Sequence, residues 1–208
     1  MATVLGYVLE SRMLSATDPL PRLPRLPRRM LVAGVSGSGK TSLAARTATL
    51  LGIPHTELDS LFHGPNWEPR ADFAADVERL TAAPSWVTEW QYSAMRPLLA
   101  QRADTLLWLD FPVPVSMGRL IRRTVRRRRR RVELWNGNFE GPLWSIFNNP
   151  DHIIRWGWRT RHSLRKVVPE LEHEHPGLQV VRFSGPKDVE VWIGMLERRV
   201  ASGEQLQP

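Results

Sequence analysis

The sequence predicts an α/β protein with a five-stranded parallel sheet and helices on both faces. Short apolar stretches alternate along the chain with longer segments whose apolar residues have helical spacing. The stretch Thr-Leu-Leu-Trp-Leu-Asp at 105–110 is almost wholly apolar, as expected for a central strand buried on both faces. A glycine-rich turn at 34–39 separates the first strand from the first helix. Alternation of this kind favours an open parallel sheet.

Each element follows from its local pattern. The predicted strands are 30–35, 56–59, 86–90, 105–110 and 179–183. The predicted helices are 41–51, 71–82, 92–101, 114–130, 151–168 and 187–200. Residues 133–150 are rich in Asn, Gly and Pro and are predicted to be irregular. Ligands of such sheets bind beyond the carboxyl ends of the strands, so the residues that follow each strand are the candidates for a site.

Composition narrows the function classes. The chain has 208 residues, with 29 basic and 21 acidic side chains and a formal net charge of +8, which favours anionic partners. The absence of Cys excludes a disulfide scaffold, thiol catalysis and a thiolate metal site. No apolar run is long enough for a spanning helix, and the first residues make a poor signal peptide. We therefore expect a cytoplasmic protein with no membrane association.

Residues 1–28 are predicted to be a flexible leader that precedes one domain at 29–208. Prolines at 19, 21, 24 and 27 favour extended, polyproline-like chain. Two interpretations remain open for this leader. It is either a docking peptide for a partner or a linker, the latter including a start codon placed too far upstream.

One motif carries specific chemistry. Gly34-Val-Ser-Gly-Ser-Gly-Lys40-Thr41 matches the P-loop pattern and stands between a predicted strand and a predicted helix. Its backbone N–H groups converge on phosphates, the lysine binds the β- and γ-phosphates, and the threonine hydroxyl binds Mg²⁺. The predicted nucleotide-binding residues are Gly34, Val35, Ser36, Gly37, Ser38, Gly39, Lys40, Thr41 and Ser42.

The rest of the sequence selects among nucleotide-using classes. A GTPase needs an N-K-x-D motif, and the three lysines at 40, 166 and 187 provide none. A remodelling ATPase usually has a larger domain and a strand that ends in paired acidic residues. These absences favour a nucleotide or metabolite kinase.

Several segments together resemble one family. They are the P-loop, Glu57-Leu-Asp-Ser-Leu-Phe-His63 with Asn66-Trp67, Trp86-Val-Thr-Glu-Trp-Gln-Tyr92, and Ala103–Pro112 followed by an arginine-rich helix. Over about residues 30–200 the chain resembles the bacterial adenylate-kinase-related P-loop family whose members are often labelled DNA topology modulation proteins or AAA-family ATPases.

The resemblance implies roles for particular residues. Glu89 stands where that family generally has an Asp that orders the Mg²⁺ shell, so it is either a metal-ordering or a structural acid. Arg119 and Arg123 match arginines that reach the phosphates, and i and i+4 share one helix face. Gly185 stands in the loop against which related kinases stack adenine, with an ordinary turn as the alternative.

Further candidates lie near the acceptor. Asp59 follows the second predicted strand and is the candidate base, whereas Asp110 is expected to be structural. A lid is predicted at about 124–160, with Trp135–Asn138 at its tip, no zinc site, and Arg155, Arg159 and Arg161 on its closing helix. Arg127–Arg131 are expected to cover the lid surface. The candidate acceptor pocket consists of His63, Asn66, Trp67, Arg70, Gln91 and Arg96.

The sequence therefore predicts an ATP- and Mg²⁺-dependent phosphotransferase that acts on a small-molecule acceptor. Lys40, Arg119, Arg123 and Asp59 are its predicted catalytic residues, and Thr41 and Glu89 its predicted metal residues. The competing hypothesis is a nucleic-acid-associated ATPase or regulatory nucleotide-binding protein, because tryptophans near the arginine run offer surfaces for base stacking.

Overall fold

A computed structural model describes residues 13–15 and 26–203 of the chain. Within them, one parallel sheet contains β1 (Leu14–Ser15), β2 (Arg29–Gly34), β3 (Trp86–Glu89), β4 (Thr105–Leu109) and β5 (Gln179–Phe183). The spatial order is β1-β5-β4-β2-β3. The predicted fold class, an α/β protein with a five-stranded parallel sheet, is confirmed.

The membership of the sheet differs from the prediction at both edges, and the first difference is beside β3. The strand predicted at 56–59 is wrong, because His55 forms only an isolated parallel bridge with Val87 and the chain then turns into helix α2 (Leu58–Phe62). The side chain of Glu89 accepts a hydrogen bond from the Leu58 N–H at 3.2 Å. A carboxylate at the first N–H groups of a helix stabilises the helix start, and this contact ends the extended segment.

The fifth strand comes from the predicted leader. Leu14 and Ser15 pair in parallel with Val181 and Arg182, and Leu26 is buried in the core. These residues therefore belong to the folded domain, which corrects part of the prediction that 1–28 is separate. The remainder of the proline-rich segment, at 16–25, lies outside the described residues, and the boundary at residue 28 otherwise stays a prediction.

The longer helices agree with the predicted positions except after the lid. They are α1 (Lys40–Leu51), α3 (Phe73–Ala82), α4 (Arg96–Arg102), α5 (Val113–Arg129), α6 (Ile153–Arg159), α7 (Leu164–Glu174) and α8 (Pro186–Ala201). The single helix predicted at 151–168 is two helices, and the second continues to Glu174. The Thr160 hydroxyl donates to the Trp156 carbonyl at 2.9 Å, a local bond that competes with helix continuation where the first helix ends.

Alternating strand residues build two cores. Met30 and Val32 face α1 and α8, whereas Leu31 and Ala33 face α3, α4 and α7. The two sets of side chains leave water on opposite faces of the sheet, so burial fixes the register of every central strand. The carboxyl ends of β2 and β3 are consequently held side by side. Among the described residues, no helix is both long enough and apolar enough to cross a bilayer.

Candidate active site

The glycine-rich segment forms a tight loop between β2 and α1. Gly37 and Gly39 have φ values of 82° and 104°, which favour glycine. A Cβ atom on Gly37 would also lie 2.3 Å from the carbonyl oxygen of Ser116, so the loop backbone packs directly on α5. Gly34 closes β2, and the Ser38 N–H donates to the Val35 carbonyl at 3.1 Å. The strand–loop–helix arrangement required of a phosphate-binding loop is therefore present.

The other residues of the loop have distinct surroundings. Ser36 lies near Gly157 of α6, since a Cβ on Gly157 would be 3.7 Å from the Ser36 Cβ. Thr41 and Ser42 occupy the exposed first turn of α1, where their side chains remain accessible. The loop thus lies between two helices and leaves its outer rim open.

Lys40 is the first residue of α1 and is half-buried. Burial lowers the pKa of Lys40, the negative charges of Asp59 and Glu89 oppose this change, and the positive charges of Arg123 and Arg96 reinforce it. Its ammonium forms no hydrogen bond or ion pair with the part of the chain that the structure describes. The charges of two acids and two arginines that are distant from Lys40 in sequence therefore act on its ammonium.

Glu89 is a buried acid at the end of β3. Burial alone would raise the pKa of Glu89, but His55, the hydrogen bond from Leu58 and the charge of Lys40 together lower it. Its Oε1 lies 3.7 Å from the His55 Nε2 and has no hydrogen-bond partner among the described residues. Glu89 therefore combines a structural contact with one free oxygen, so both roles predicted for it remain compatible with its geometry.

Asp59 lies in α2 within a hydrogen-bond network. Its Oδ1 accepts from the Gln91 Nε2 at 2.7 Å and from the Tyr92 hydroxyl at 2.6 Å. The Tyr92 hydroxyl is also 3.4 Å from the His63 Nε2. Burial raises the pKa of Tyr92, and the charge of Asp59 raises it further, so the phenol stays protonated and donates. Because both bonds go to Oδ1, the network fixes the carboxylate and leaves Oδ2 for another partner.

Tyr92 holds this network with an unusual backbone. Its φ is 60°, in the left-handed region that a bulky residue rarely adopts. Such conformations cost free energy and persist where the surrounding structure requires them. In the sequence, Tyr92 belongs to a segment that carries the family resemblance, and no pattern there predicts a role for it.

Three arginines of α5 share one face. Arg119 donates to the Ser38 carbonyl at 3.2 Å, which places it on the glycine-rich loop. Burial lowers the pKa of Arg123, and the charge of Arg127 lowers it further. Arg127 lies one turn beyond Arg123 and forms an ion pair with Glu140 at 3.6 Å. The sequence predicts that Arg119 and Arg123 share one helix face, and both lie on one face of α5.

The prediction that Arg127–Arg131 cover the lid surface is wrong for Arg127. Arg127 is half-buried, and its guanidinium lies 6.0 Å from the centre of the Trp135 ring, on the inner side of the lid. Arg128–Arg131 are exposed, as predicted. The i, i+4, i+8 spacing from Arg119 is the sequence signal that identifies Arg127.

The lid tip docks on the loop after α2, and we call this contact the lid clasp. It joins Trp135–Asn138 to Glu57, Ser60 and the segment His63–Trp67. The Trp135 indole donates to Glu57 at 2.9 Å, the Asn138 amide donates to the Gly64 carbonyl at 2.8 Å, and the Trp67 N–H donates to Asn138 at 2.9 Å. Burial raises the pKa of Glu57, and the Trp135 bond opposes that change. The lid tip is therefore held against the segments that flank α2, the helix that carries Asp59.

Matching loops form both halves of the lid clasp. Asn66 and Asn136 each have φ near 57° (57° and 56°), and Asn is a residue that tolerates this region. The Asn136 amide also donates to the backbone carbonyls of Ser60 and His63. The loop after α2 therefore presents its backbone to the asparagine side chains of the lid tip.

The predicted pocket residues divide into three groups. Gln91 and His63 join the Asp59 network, and Arg96 acts electrostatically on Lys40. Asn66 and Trp67 belong to the lid clasp. Arg70 instead pairs with Asp76 at 3.1 Å, which gives it a structural role.

Other predicted residues lie away from Lys40. Asp110 pairs with Arg165 at 2.9 Å and with Arg182, in agreement with a structural role. Gly185 has an extended backbone, and its N–H donates to Asp188 at 3.0 Å at the start of α8. A Cβ there would meet no atom within 4 Å, so the protein itself does not require glycine, and the adenine role stays a prediction. The arginines of the closing helix, Arg155 and Arg159, are exposed on α6, and Arg161 is half-buried after it.

Asn138 bridges the lid clasp, and its replacement by alanine tests the clasp. The Trp67 N–H and the Gly64 carbonyl would lose their partners, so we expect a loss of about 1–3 kcal/mol in the free energy of unfolding. The unfolding temperature Tm should fall by about 2–4 °C for each kcal/mol lost. The amide hydrogen of Trp67 should exchange faster with solvent. Asn148→Ala, an exposed lid position, is the control. Equal Tm and exchange in both variants would show that the clasp does not hold the lid.

The chain is similar to two solved structures of kinases. A gluconokinase from Sinorhizobium meliloti 1021 is 20% identical, with a TM-score of 0.46, over 87% of this chain and 99% of that chain. A shikimate kinase from Acinetobacter baumannii, in complex with shikimate, is 14% identical with a TM-score of 0.50, over 86% of this chain and 96% of that chain. The chain shares its α/β fold, with a five-stranded parallel sheet flanked by helices, with that shikimate kinase. No family model matches the sequence, and no curated protein matches it.

Proposed function

We propose that the protein is an ATP- and Mg²⁺-dependent kinase that transfers the γ-phosphoryl group of ATP to a small-molecule hydroxyl. The observation that carries the proposal is the convergence of Lys40, Asp59 and Arg123. The charge of Asp59 acts on the pKa of both cations, although the three residues come from α1, α2 and α5. Phosphotransfer needs cations that bind the phosphates and a base that takes the proton of the attacking hydroxyl. Lys40 and Arg123 supply the cations, and Asp59 supplies the base.

ATP is proposed to bind along the loop at 34–41. The loop N–H groups, the amino end of α1 and Lys40 bind the β- and γ-phosphates. Arg119 and Arg123 lie on the adjacent face of α5 and stabilise the charge that builds on the transferring group. Gly185 is the proposed position for close approach of adenine.

Residues at the start of α1 and at the end of β3 fit a magnesium ion. The Thr41 hydroxyl is accessible, and Glu89 keeps one oxygen without a hydrogen-bond partner among the described residues. Mg²⁺ usually takes few protein ligands and completes its shell with phosphates and water. When bound, it would neutralise phosphate charge, with Thr41 as a ligand and Glu89 ordering the shell.

Asp59 is proposed to be the base. Gln91 and Tyr92 fix its Oδ1, so Oδ2 accepts the proton of the acceptor hydroxyl. The acceptor oxygen then forms a bond to the γ-phosphorus as the bond to the ADP oxygen breaks. The lid clasp closes this site, which excludes water that would otherwise hydrolyse ATP.

An acceptor screen tests the proposal. ADP release is measured with ATP, Mg²⁺ and each of a panel of nucleosides, nucleotides, polyols and hydroxy acids. At least one acceptor should raise ADP release above the rate without acceptor, and Asp59→Asn should remove that increase while ATP still binds. If no acceptor does so, the kinase proposal fails. We further propose that this kinase belongs to the adenylate-kinase-related family that the sequence resembles.

Tyr92→Phe tests how the base is held. The change removes one of the two hydrogen bonds to Asp59, and a hydrogen bond to a charged group is worth about 1.5–3 kcal/mol. We expect kcat to fall by about tenfold or more while KM for ATP stays the same. The matched control is Tyr7→Phe, at the chain's other tyrosine. An unchanged kcat in Tyr92→Phe would remove the positioning role.

A nucleic-acid-associated ATPase is the second candidate function. The exposed run Arg128–Arg131 is accompanied by exposed tryptophans, and the Arg161 guanidinium lies 4.3 Å from the centre of the Trp158 ring. Arginines and aromatic rings together bind single-stranded nucleic acid through phosphates and stacking. This function requires that nucleic acid stimulate ATP turnover.

A further inference from the structure

We infer that the outer surface of the lid docks on an anionic phospholipid bilayer, with Trp144 and Phe147 entering the interface and arginines binding the lipid phosphates. The inference goes beyond the proposed kinase function and does not depend on it. A sequence without a spanning helix favours no membrane association, but peripheral docking on one leaflet needs no such helix.

The net positive charge of the chain is concentrated in the lid. Residues 122–161, the lid with its flanking arginines, contain eleven arginines and three acids, which gives a formal charge of +8. The rest of the chain contains 18 basic and 18 acidic side chains and contributes no net charge. Eight of the eleven arginines are exposed: Arg122, Arg126, Arg128–Arg131, Arg155 and Arg159. An anionic surface is therefore attracted to the lid rather than to the protein as a whole.

Exposed apolar side chains are concentrated in the same stretch. The described residues include nine large apolar side chains that are exposed, and seven of them lie between positions 121 and 158. These seven are Ile121, Val132, Phe139, Trp144, Phe147, Trp156 and Trp158. Single exposed apolar residues are normal, but a group confined to one segment indicates a contact surface.

Trp144 and Phe147 are the most exposed of this group, with relative exposures of 64% and 85%. They belong to the turn formed by the short 3-10 helix Leu143–Ile146, in which the Phe147 N–H donates to the Trp144 carbonyl at 3.1 Å. Residues three apart in a 3-10 helix lie one above the other, so the two rings share one side of the turn. We call these two rings the aromatic tip.

Arginines flank the aromatic tip on both sides. Arg155 of α6 donates to the Ile146 carbonyl at 3.5 Å, which places its guanidinium beside the 3-10 helix. Arg128, in the exposed run, donates to the Glu140 carbonyl at 3.3 Å, three residues before that helix. Both guanidinium groups bind neutral carbonyls, so their charge remains available. Aromatic rings between such arginines suit a bilayer surface, because the rings enter the headgroup region while the arginines bind phosphates.

Helix α6 provides a second apolar feature beside Arg155. Gly157 is its buried residue and packs against Leu120 of α5, which leaves Trp158 exposed. An open cavity of about 400 Å³ lies beside this ring and is lined by Met117, Ile154, Arg155, Trp158 and Arg159. Apolar and guanidinium groups in one cavity suit a phospholipid, whose acyl chain and phosphate need both.

The kinds of exposed side chain favour a bilayer over single-stranded nucleic acid. Bases stack on free ring faces. The Arg161 guanidinium lies 4.3 Å from the centre of the Trp158 ring, and that of Arg159 lies 5.1 Å from the Trp156 ring, so one face of each ring is already covered. The aliphatic Ile121 offers no ring for stacking, whereas an apolar phase accepts aliphatic and aromatic side chains alike.

Vesicle co-sedimentation tests the inference without ATP. The protein is mixed with vesicles of phosphatidylcholine alone, and with vesicles of phosphatidylcholine and phosphatidylglycerol in equal parts. At low salt, we expect partition to the anionic vesicles to exceed partition to the neutral ones by at least about 10-fold, and added salt should reduce it. Equal partition to both kinds of vesicle, or to neither, would overturn the inference.

Two double variants test the named residues. Trp144→Ser with Phe147→Ser removes the aromatic tip and should lower partition to the anionic vesicles by at least about 10-fold. Arg128→Gln with Arg155→Gln removes two flanking charges and should lower it by about 10-fold or more. All four positions are exposed, so the Tm of each variant without vesicles should match that of the wild type.

Matched controls lie on α8, which the Arg46–Glu190 ion pair joins to α1 at 2.6 Å. Val191→Ser removes an exposed apolar side chain, and Lys187→Gln with Arg198→Gln removes two exposed charges. These controls should partition to the anionic vesicles as the wild type does. Equal losses in the controls and in the lid variants would overturn the inference, because net charge or general stickiness would then explain the binding.

A labelled single-stranded oligonucleotide tests the competing occupant. Its binding is measured by anisotropy in the same buffer, and it is also added to the vesicle mixture at equal phosphate concentration. Displacement of the protein from the vesicles, together with oligonucleotide binding that is lost in Trp144→Ser with Phe147→Ser, would assign the surface to nucleic acid and overturn the inference. Oligonucleotide binding that survives in that variant, while vesicle binding is lost, supports the bilayer. Since no ATP is present, none of these results depends on the kinase proposal.

Discussion

Lys40→Ala should lower acceptor-dependent ADP release by at least about 100-fold, because it removes a cation from the point where negative charge develops in phosphotransfer. The fold should survive. Since burial lowers the pKa of Lys40, its charged form is disfavoured in the folded state, and at neutral pH that charge costs stability. We therefore expect the Tm of Lys40→Ala to equal or exceed that of the wild type near pH 7.

The pH dependence of this difference has a definite sign. For a lysine whose pKa is lowered on folding, stability is present above the unfolded pKa and is lost as pH falls through the folded pKa. The Tm advantage of Lys40→Ala should thus shrink as pH rises from the lowered pKa of Lys40 towards the usual lysine pKa, and it should be absent above that pKa. Lys187→Ala is the matched control, because Lys187 is exposed at the start of α8. Full turnover in a folded Lys40→Ala protein would exclude both ATP-using functions.

Much of the fold could be predicted because burial on two faces leaves a clear pattern. The central strand at 105–110 and the loop at 34–41 are set by apolar runs and by glycine, which act locally. The segment at 56–59 has the composition of a short strand, but a contact from the distant Glu89 starts a helix there. Leu14–Ser15 is a strand because β5 offers an open edge, and two residues carry no pattern of their own.

The candidate site was predictable where helix spacing or a motif placed the residues. Lys40 follows from the P-loop, and Arg119 and Arg123 follow from an i, i+4 pair. Tyr92 escaped prediction because its role depends on a left-handed backbone and on a partner far away in the chain. Glu57 escaped because its partner, Trp135, comes from the lid. Tertiary contacts between distant loops leave no periodic signal in sequence.

The second large effect is expected from the α5 arginines. Replacing Arg119 and Arg123 together by alanine should lower kcat/KM for ATP-dependent transfer by more than about 100-fold, because both lie on the face that meets the phosphate-binding loop. Replacing Arg129 and Arg130 together removes the same charge from exposed positions and should leave kcat/KM within about twofold. Equal losses in the two double variants would show that net charge, rather than position, supports turnover.

The same two double variants separate the kinase from the nucleic-acid hypothesis. Binding of a labelled single-stranded oligonucleotide is measured by anisotropy over a salt series. If the exposed run only attracts phosphates, affinity should be weak, and log K should fall by about 0.7 per phosphate contacted for each decade of salt. Arg129 and Arg130 should carry that affinity without affecting turnover. Tight binding that resists salt, lost in the Arg129 and Arg130 variant and accompanied by stimulated ADP release, would instead favour the ATPase. The kinase function requires the opposite result, in which turnover depends on Arg119 and Arg123 and not on the exposed arginines. The reason is that negative charge develops beside Lys40 in the transition state, where Arg123 acts and the exposed arginines do not.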